Sequence, residues 1–375
     1  MRELIELAAE LAGKELRPAA DAAEREGHFP REAFALLGRS GLLGLPYPER
    51  WGGGGQPYAD YLEVVEELAR AWLTVGLGVS VHTLACFPLA SYGTDDQRDR
   101  WLPAMLGGDL LGAYCLSEPG SGSDAAALAT RADAEDGHYR LDGVKAWISH
   151  AGHADFYTVF ARTSGDPSGR DRARGISCLH VPADTPGVSA AAPEHKMGMR
   201  ASTTAQMIFE GARVPAAHLL GEKGRGFSIA LAALDAGRLG IAACSTGLAQ
   251  AALDTALSWA RERRQFGRPV IDFQGVGFML ADMATAVEAS RALYREAARR
   301  KDAGEPFGPL AAMAKLQASD AAMRVATDAV QVLGGYGYVE DFPAERYMRE
   351  AKVLQIVEGT NQIQRLVIAR ALARD

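Results

Sequence analysis

The sequence predicts an α+β fold that is mostly helical: an N-terminal helical domain, a middle antiparallel β-domain and a C-terminal helical bundle. Three observations carry this. Apolar residues recur at helical spacing from Met1 to about Leu111. From Gly112 to about Gly221, short alternating segments stand between Gly, Pro and Asp turns. From Phe227 onward, long Ala-rich runs return to the helical period. The expected domains are therefore 1–111, 112–222 and 223–375.

Each element follows from its residues. Leu4, Leu7, Ala8 and Leu11 mark the first helix, Phe34, Leu37 and Leu42 the next, and the run from Tyr61 to Leu68 another. Gly41, Gly44, Pro46 and Pro48, then Trp51 and the four glycines 52–55, form a turn-rich connection. No strand precedes those glycines and no Gly-Lys-Ser/Thr follows, so they read as a loop rather than a phosphate cradle. In the β-domain, His138-Tyr139-Arg140-Leu141, Phe156 to Phe160 and Gln206 to Phe209 alternate as strands do. The bundle reads as helices over 228–265, 275–301, 309–333 and 361–372, broken by Gly267-Arg268-Pro269 and by the segment Gly334 to Gly337. No internal repeat is evident, because the helical segments at the two ends differ in length and punctuation.

Composition narrows the function. The 375 residues are enough to build sizeable cores without disulfide staples. Forty Lys and Arg against 47 Asp and Glu, a net charge of −7, argue against a nucleic-acid partner, although a local basic cluster can hold a small phosphorylated ligand. Cys86, Cys115, Cys178 and Cys244 lie far apart with no C-x-x-C pair, so neither a zinc site nor a disulfide framework is expected. No apolar stretch reads as long and uninterrupted enough to span a bilayer, and the opening Met1 to Glu6 is amphipathic and acidic rather than a signal peptide. The expectation is a soluble cytoplasmic protein with no membrane partner.

Five segments then point to chemistry. The first, Tyr114-Cys115-Leu116-Ser117-Glu118-Pro119-Gly120-Ser121-Gly122-Ser123-Asp124, resembles the signature of the acyl-CoA dehydrogenase family. Trp147-Ile148-Ser149, Arg263 to Gly267, Gln331 to Gly335 and Glu358 to Gln362 follow in that family's order. The resemblance covers the chain from its N-terminal helices to its last one, and is nearest to the short-chain branch. It implies a flavoenzyme whose FAD lies between the β-domain and a four-helix bundle. On that reading Leu116 and Ser117 offer backbone and hydroxyl groups to the flavin ring, with Tyr114, Gly122 and Ser123 beside them. Trp147 packs near the isoalloxazine, next to Ile148, and Ser149 bonds its edge. Arg263 and Gln265 suit the pyrophosphate, by a charged fork and an amide. Phe266, Phe273 and Gln274 accompany them. With Gln331, Val332, Gly334 and Gly335 they resemble a segment that completes the FAD site of a neighbouring subunit, which implies a homotetramer, a dimer of dimers, or at least a homodimer. Thr360 and Gln362 close the set of cofactor positions.

The reaction implied is removal of two hydrogens across Cα and Cβ of an acyl thioester, with flavin N5 as hydride acceptor and an electron-transfer flavoprotein as onward acceptor. A base must take the weakly acidic α-proton, and a carboxylate suits that need. Glu358 matches the family's catalytic glutamate, and Gly359 leaves room for the thioester. Some branches place the base at the position filled here by Gly237, which cannot serve. Asp235, Arg238 and Ser123 match positions along the thioester and pantetheine.

Taken singly, each residue has a plainer reading. Trp147 would be core, Ser117 a turn hydroxyl, Arg263 an exposed helix end, Glu358 a loop carboxylate, and Asp235 with Arg238 a helical ion pair. Alternatives on the same fold are an acyl-CoA oxidase, a flavin monooxygenase, or a dehydrogenase for an acyl group on a carrier protein; a scaffold without chemistry is the rival from another class. Gly221 to Phe227 reads as a turn into the bundle. His150 and His153 lack a third ligand, so no metal is expected. Thr203 departs from relatives that often carry Asp there.

Overall fold

In the computed structural model, which describes residues 2–166, 169 and 172–373, most of the N-terminal periodicity becomes helix, but Leu42 lies in the turn after the helix that holds Phe34 and Leu37. Helix α1 (Arg2–Leu11) runs through a π-helical turn into α2 (Arg17–Glu26), followed by α3 (Arg31–Arg39), α4 (Tyr58–Ala71), α5 (Leu73–Tyr92) and α6 (Asp95–Leu106). A capping box starts α6: Thr94 Oγ1 accepts from the Gln97 N–H, and Gln97 Oε1 from the Thr94 N–H. The glycine stretch 52–55 is a loop, as its composition predicts.

The sheet differs from the antiparallel expectation. Its eight strands are β1 (Gly112–Cys115), β2 (Arg131–Glu135), β3 (His138–Ser149), β4 (Phe156–Arg162), β5 (Ile176–Pro182), β6 (Val188–Ala190), β7 (Thr204–Pro215) and β8 (Leu219–Leu220). The order is β6-β7-β3-β2-β4-β5-β8, with β1 beside β4. Most pairs are antiparallel, but β1 and β2 both run parallel to β4, so the sheet is mixed. Both strands reach β4 by crossing connections instead of hairpins, and periodicity within a strand carries no sign of direction.

The bundle comprises α7 (Gly226–Glu262), α8 (Gln274–Asp302), α9 (Gly308–Leu333), α10 (Ala344–Leu354) and α11 (Asn361–Leu372). Two details correct the sequence reading. Helix α7 stops at Glu262, because Arg264–Gln265 (β9) pairs with Arg268–Pro269 (β10) as a hairpin. Its two turn residues, Phe266 and Gly267, both have positive φ, the geometry that two-residue hairpins need. Helix α10 escapes the apolar pattern because five of its eleven residues are charged.

Two helices also overturn the expectation that no stretch could span a bilayer. Leu73–Tyr92 and part of Gly226–Glu262 are long and apolar enough, with 89% and 67% of their most apolar windows buried in the protein. A helix apolar on all sides is what the centre of a large core requires. Helices α4 and α5 share that core with α7, α8 and α9. The Asp302 carboxylate at the end of α8 caps α4, accepting from the Tyr58 and Ala59 N–H groups. The N-terminal helices therefore pack as part of the bundle, and this brings α4 and α5 against the middle of the chain's chemistry.

Candidate active site

The turn between α10 and α11 places Glu358. Glu358 and Gly359 are both left-handed, at φ +51° and +91°. For a residue with a Cβ this conformation is unfavourable and must be held by its surroundings. Thr360 caps α11 by accepting from the Ile363 N–H at 3.3 Å. Gln364 Nε2 donates to the carbonyls of Glu358 (3.2 Å) and Gly359 (2.8 Å), and Lys315 Nζ donates to that of Gly359 (3.0 Å). The turn is thus gripped from its own helix and from α9.

The Glu358 carboxylate is left without such support. Both of its oxygens are buried and neither has a hydrogen-bond partner. Burial pushes its pKa up to about 7, against the opposing charges of Lys315 and Arg238. It faces Gly237 on α7 so closely that a Cβ built there would overlap Oε2. Gly237 therefore carries no carboxylate and leaves room for that of Glu358. One residue on, Arg238 is buried and bonds Asp235 Oδ1 through Nη1 at 2.5 Å, while its Nε has no partner. The Asp235–Arg238 ion pair is real, and both residues stand on α7 within one turn of Gly237.

A cavity of about 250 Å³ opens from Gly237 between α5, α7 and the loop after α3. Leu84, Phe87, Ala233 and Ala236 line it, with polar edges from Ser80 and Thr83. Two tyrosines are tied back into the backbone: Tyr58 Oη donates to the Ala236 carbonyl (3.0 Å), and Tyr47 Oη to that of Thr83 (2.5 Å).

The β-domain edge is shaped by a bulge. Between the Lys145–Met207 and Ile148–Ala205 pairs, β3 carries one residue more than β7. Trp147 sits there at φ +62° and is 66% exposed, so the bulge turns its indole out of the sheet. The Ala146 N–H donates to the Ser117 carbonyl at 2.9 Å, joining the first two signature segments. Ser149 pairs with Thr204, whereas the Ile148 side chain is sheet core. Tyr114 and Leu116 are also packed inward; the Tyr114 hydroxyl donates to the Ala230 carbonyl at 3.4 Å. Their backbone, not their side chains, is what this edge presents. At Gly122 a Cβ would meet nothing, and Ser123 is exposed.

The remaining predicted residues lie elsewhere. Arg263, Gln265, Val332, Gly334 and Gly335 line one groove of about 510 Å³. The Arg263 guanidinium lies over the Tyr336 ring at 5.6 Å. Phe266 is 93% exposed and meets Phe273 edge-on, with Gln274 next in the chain, and Gln331 is exposed in the last turn of α9. Arg238 and Arg263 are separated by 25 helical positions of α7, about 38 Å along its axis. The cavity and the groove thus lie far apart along α7. Gln362 is exposed on the first turn of α11.

His150 and His153 serve the fold: the His150 Nδ1–H donates to the Gly112 carbonyl (2.9 Å), and His153 stacks on Phe29 with centroids 4.2 Å apart. No trio of His, Cys, Asp or Glu is arranged to hold a metal ion among the described residues. All four cysteines are buried and unpaired. The Thr203 carbonyl accepts from the His150 N–H at 3.0 Å.

Two residues were missed from sequence. Lys145 is buried and pairs with Glu118 at 2.8 Å beneath the bulge. Lys315 is buried in the stripe Ala311, Ala314, Ala318, Ala322 of α9. In both cases the available signal was a lysine at an inward-facing position.

This geometry defines a buried carboxylate beside a small cavity, in a protein of helices, sheet and helical bundle. Family models for the N-terminal, middle and C-terminal domains of acyl-CoA dehydrogenases match residues 1–109, 113–212 and 224–373. The chain is 45% identical to an acyl-CoA dehydrogenase of Bacillus subtilis over 99% of its length and 97% of the relative's. It is also 45% identical to the mitochondrial short-chain specific acyl-CoA dehydrogenase of Mus musculus, over 97% of this chain and 88% of that one. The solved butyryl-CoA dehydrogenase of Megasphaera elsdenii superposes with a TM-score of 0.96 at 40% identity, covering 100% of this chain and 98% of that one. The chain belongs to the acyl-CoA dehydrogenase family, oxidoreductases acting on the CH–CH group.

Proposed function

We propose that the protein dehydrogenates a short acyl-CoA across Cα and Cβ to the trans-2-enoyl thioester, with Glu358 as α-proton base and FAD as cofactor. The observation that carries this is the pair of buried, unpartnered Glu358 oxygens facing Gly237 at the head of the cavity. A carboxylate held near neutrality can accept a proton at physiological pH and release it again. Short substrates are supported by the cavity volume of about 250 Å³, which lies below the range of about 300–1,000 Å³ usual for drug-sized ligands. The butyryl-CoA and short-chain specific relatives agree.

The residues present fit FAD. Trp147 stands out of the sheet with its indole exposed, and a Cβ at Gly122, Gly334 or Gly335 would meet no protein atom, leaving backbone open to a ligand. Bound FAD would supply the hydride acceptor. The chain's own part is to hold the ring against the Trp147 and Ser117 edge and to offer Arg263 and Gln265 to the pyrophosphate. The distance of about 38 Å along α7 between Arg238, near the cavity, and Arg263, in the groove, supports a homo-oligomer in which each subunit completes its neighbour's site. An electron-transfer flavoprotein is the acceptor that family membership suggests.

The test is anaerobic mixing of the purified holoenzyme with straight and branched C3 to C8 acyl-CoAs, following flavin absorbance. Bleaching is expected with the shortest chains, and should be absent in a yellow Glu358→Gln variant. Normal bleaching in that variant would assign the base elsewhere, and rapid oxygen uptake by the wild type would make it an oxidase.

A further inference from the structure

We propose that Lys315 is the positioning residue of the catalytic turn, anchoring Gly359 from α9 and supplying the positive charge that the Glu358 carboxylate faces. The inference rests on the reading of Glu358 as base and assigns what makes that base usable.

A lysine in an alanine stripe is costly unless its charge is used. Transfer of an ammonium from water into a protein interior carries an effective penalty of several kcal/mol. Lys315 has no carboxylate within ion-pair distance among the described residues; its ammonium donates to the Gly359 carbonyl at 3.0 Å and to Asn361 Oδ1 at 2.9 Å. The Asn361 amide is oriented for this task. Its Nδ2 donates to Asp320 Oδ1 at 2.7 Å, and Asp320 is itself held by Gln355 (2.7 Å) and Arg365 (3.1 Å). The Asn361 oxygen is thereby left pointing at Lys315.

Satisfying the turn does not by itself require a cation. Gln364 already donates to the Gly359 carbonyl at 2.8 Å. What Gln364 cannot provide is charge. Two cations oppose the burial of Glu358, Lys315 from α9 and Arg238 from α7. Arg238 is committed to Asp235, whereas Lys315 touches only neutral oxygens. The other titratable groups around Glu358 are Tyr58 and Tyr61 from α4, Tyr114 from β1 and Cys244 from α7, all pushed upward by burial and therefore neutral. Lys315 is itself lowered by burial to about 8, with Glu358 and Asp320 opposing the shift. Base and lysine are thus two mutually dependent buried charges on facing elements, and the turn carries one to the other.

The experiment measures α-proton exchange of bound acyl-CoA with deuterated water, alongside flavin bleaching, from about pH 5.5 to about 9. Holoenzymes with Lys315→Met, Lys315→Gln and Lys315→Arg are compared with wild type and with Glu358→Gln. Lys315→Gln keeps a donor for Gly359 and removes the charge. Its acid limb should move up by roughly one unit or more, read as ~10-fold slower exchange at the acid end, with KM and thermal midpoint near wild type. Lys315→Arg should restore the limb, and Lys315→Met should add a loss of kcat at all pH values. A Lys315→Gln enzyme with an unmoved acid limb overturns the proposal, even if Lys315→Met melts early or fails to fold. Exchange that survives in Glu358→Gln overturns the base assignment and the proposal with it; no exchange there, beside an unmoved Lys315→Gln limb, overturns the proposal alone.

Discussion

Two buried carboxylates, Glu118 under the β-domain bulge and Glu358 in the bundle, stand in opposite states. Glu118 accepts from Lys145 Nζ at 2.8 Å and from the N–H groups of Ala129 (2.6 Å) and Thr130 (2.9 Å). Burial alone would raise its pKa, but the Lys145 charge and these bonds outweigh it and lower it. Glu358 accepts nothing, and burial raises it to about 7. The satisfied carboxylate locks a loop and the deprived one is available to a ligand. Burial by itself therefore does not keep a carboxylate's pKa high. The chain must also keep partners away, which it does with a glycine at 237 and with a lysine that bonds the turn rather than the carboxylate.

The comparison breaks most clearly by exchanging each glutamate for glutamine. Glu358→Gln should lower α-proton removal by about 10²–10⁴-fold, while its urea midpoint stays at or above wild type, because a buried unpartnered charge has gone. Glu118→Gln should do the reverse, leaving Lys145 buried and unpaired at a loss of about 3–5 kcal/mol of stability in urea unfolding. Equal destabilisation by the two would erase the distinction.

Gly237→Ala sharpens it further. Its Cβ overlaps Glu358 Oε2, so the carboxylate must swing aside, and kcat should fall by roughly 10–10² with FAD content retained. An unchanged kcat would show that the carboxylate need not sit over α7.

The smallest effect is in the pH dependence of stability, where the two sites have opposite slopes. Glu358 holds its proton in the folded state up to about 7, against 4.5 ordinarily, so its contribution is fully present below pH 4.5 and is lost as pH rises through 7. Glu118 is lowered, so its contribution is present above 4.5 and is lost as pH falls. Chemical denaturation at several pH values should show Glu358→Gln removing a decline between about 4.5 and 7, and Glu118→Gln removing a rise.

Much of this was readable from residues in order. The long helices α7, α8 and α9 follow from the Ala-rich runs, whereas α5, apolar on all sides, carries no helical period; the signature segments fall at the bulge, the Glu358 turn and the groove. Helix α10 was not, since two of its charges, Arg346 and Glu350, are buried against one another, with Arg346 also paired to Asp21 of α2. The β9–β10 hairpin hides behind residues of good helix propensity, Arg264 and Gln265; the helix ends where Arg263 turns extended, and the positive φ of Phe266 and Gly267 turns the chain back. The parallel pairing of β1 with β4 depends on which edge the chain enters after α6.

The sequence by itself determined the family, the three-part order, and a carboxylate at 358 with none at 237, because these depend on which side chain stands at which position. The tertiary structure alone decided that Glu358 has no partner, that Gly237 makes room for it, that Lys145 and Lys315 face inward to different ends, and that Arg238 by the cavity and Arg263 in the groove lie about 38 Å apart along α7. The physical reason is that partner and distance belong to pairs of residues far apart in the chain. Lys315 is 44 positions from Gly359, and only packing of α9 against the last turn brings an ammonium to that carbonyl.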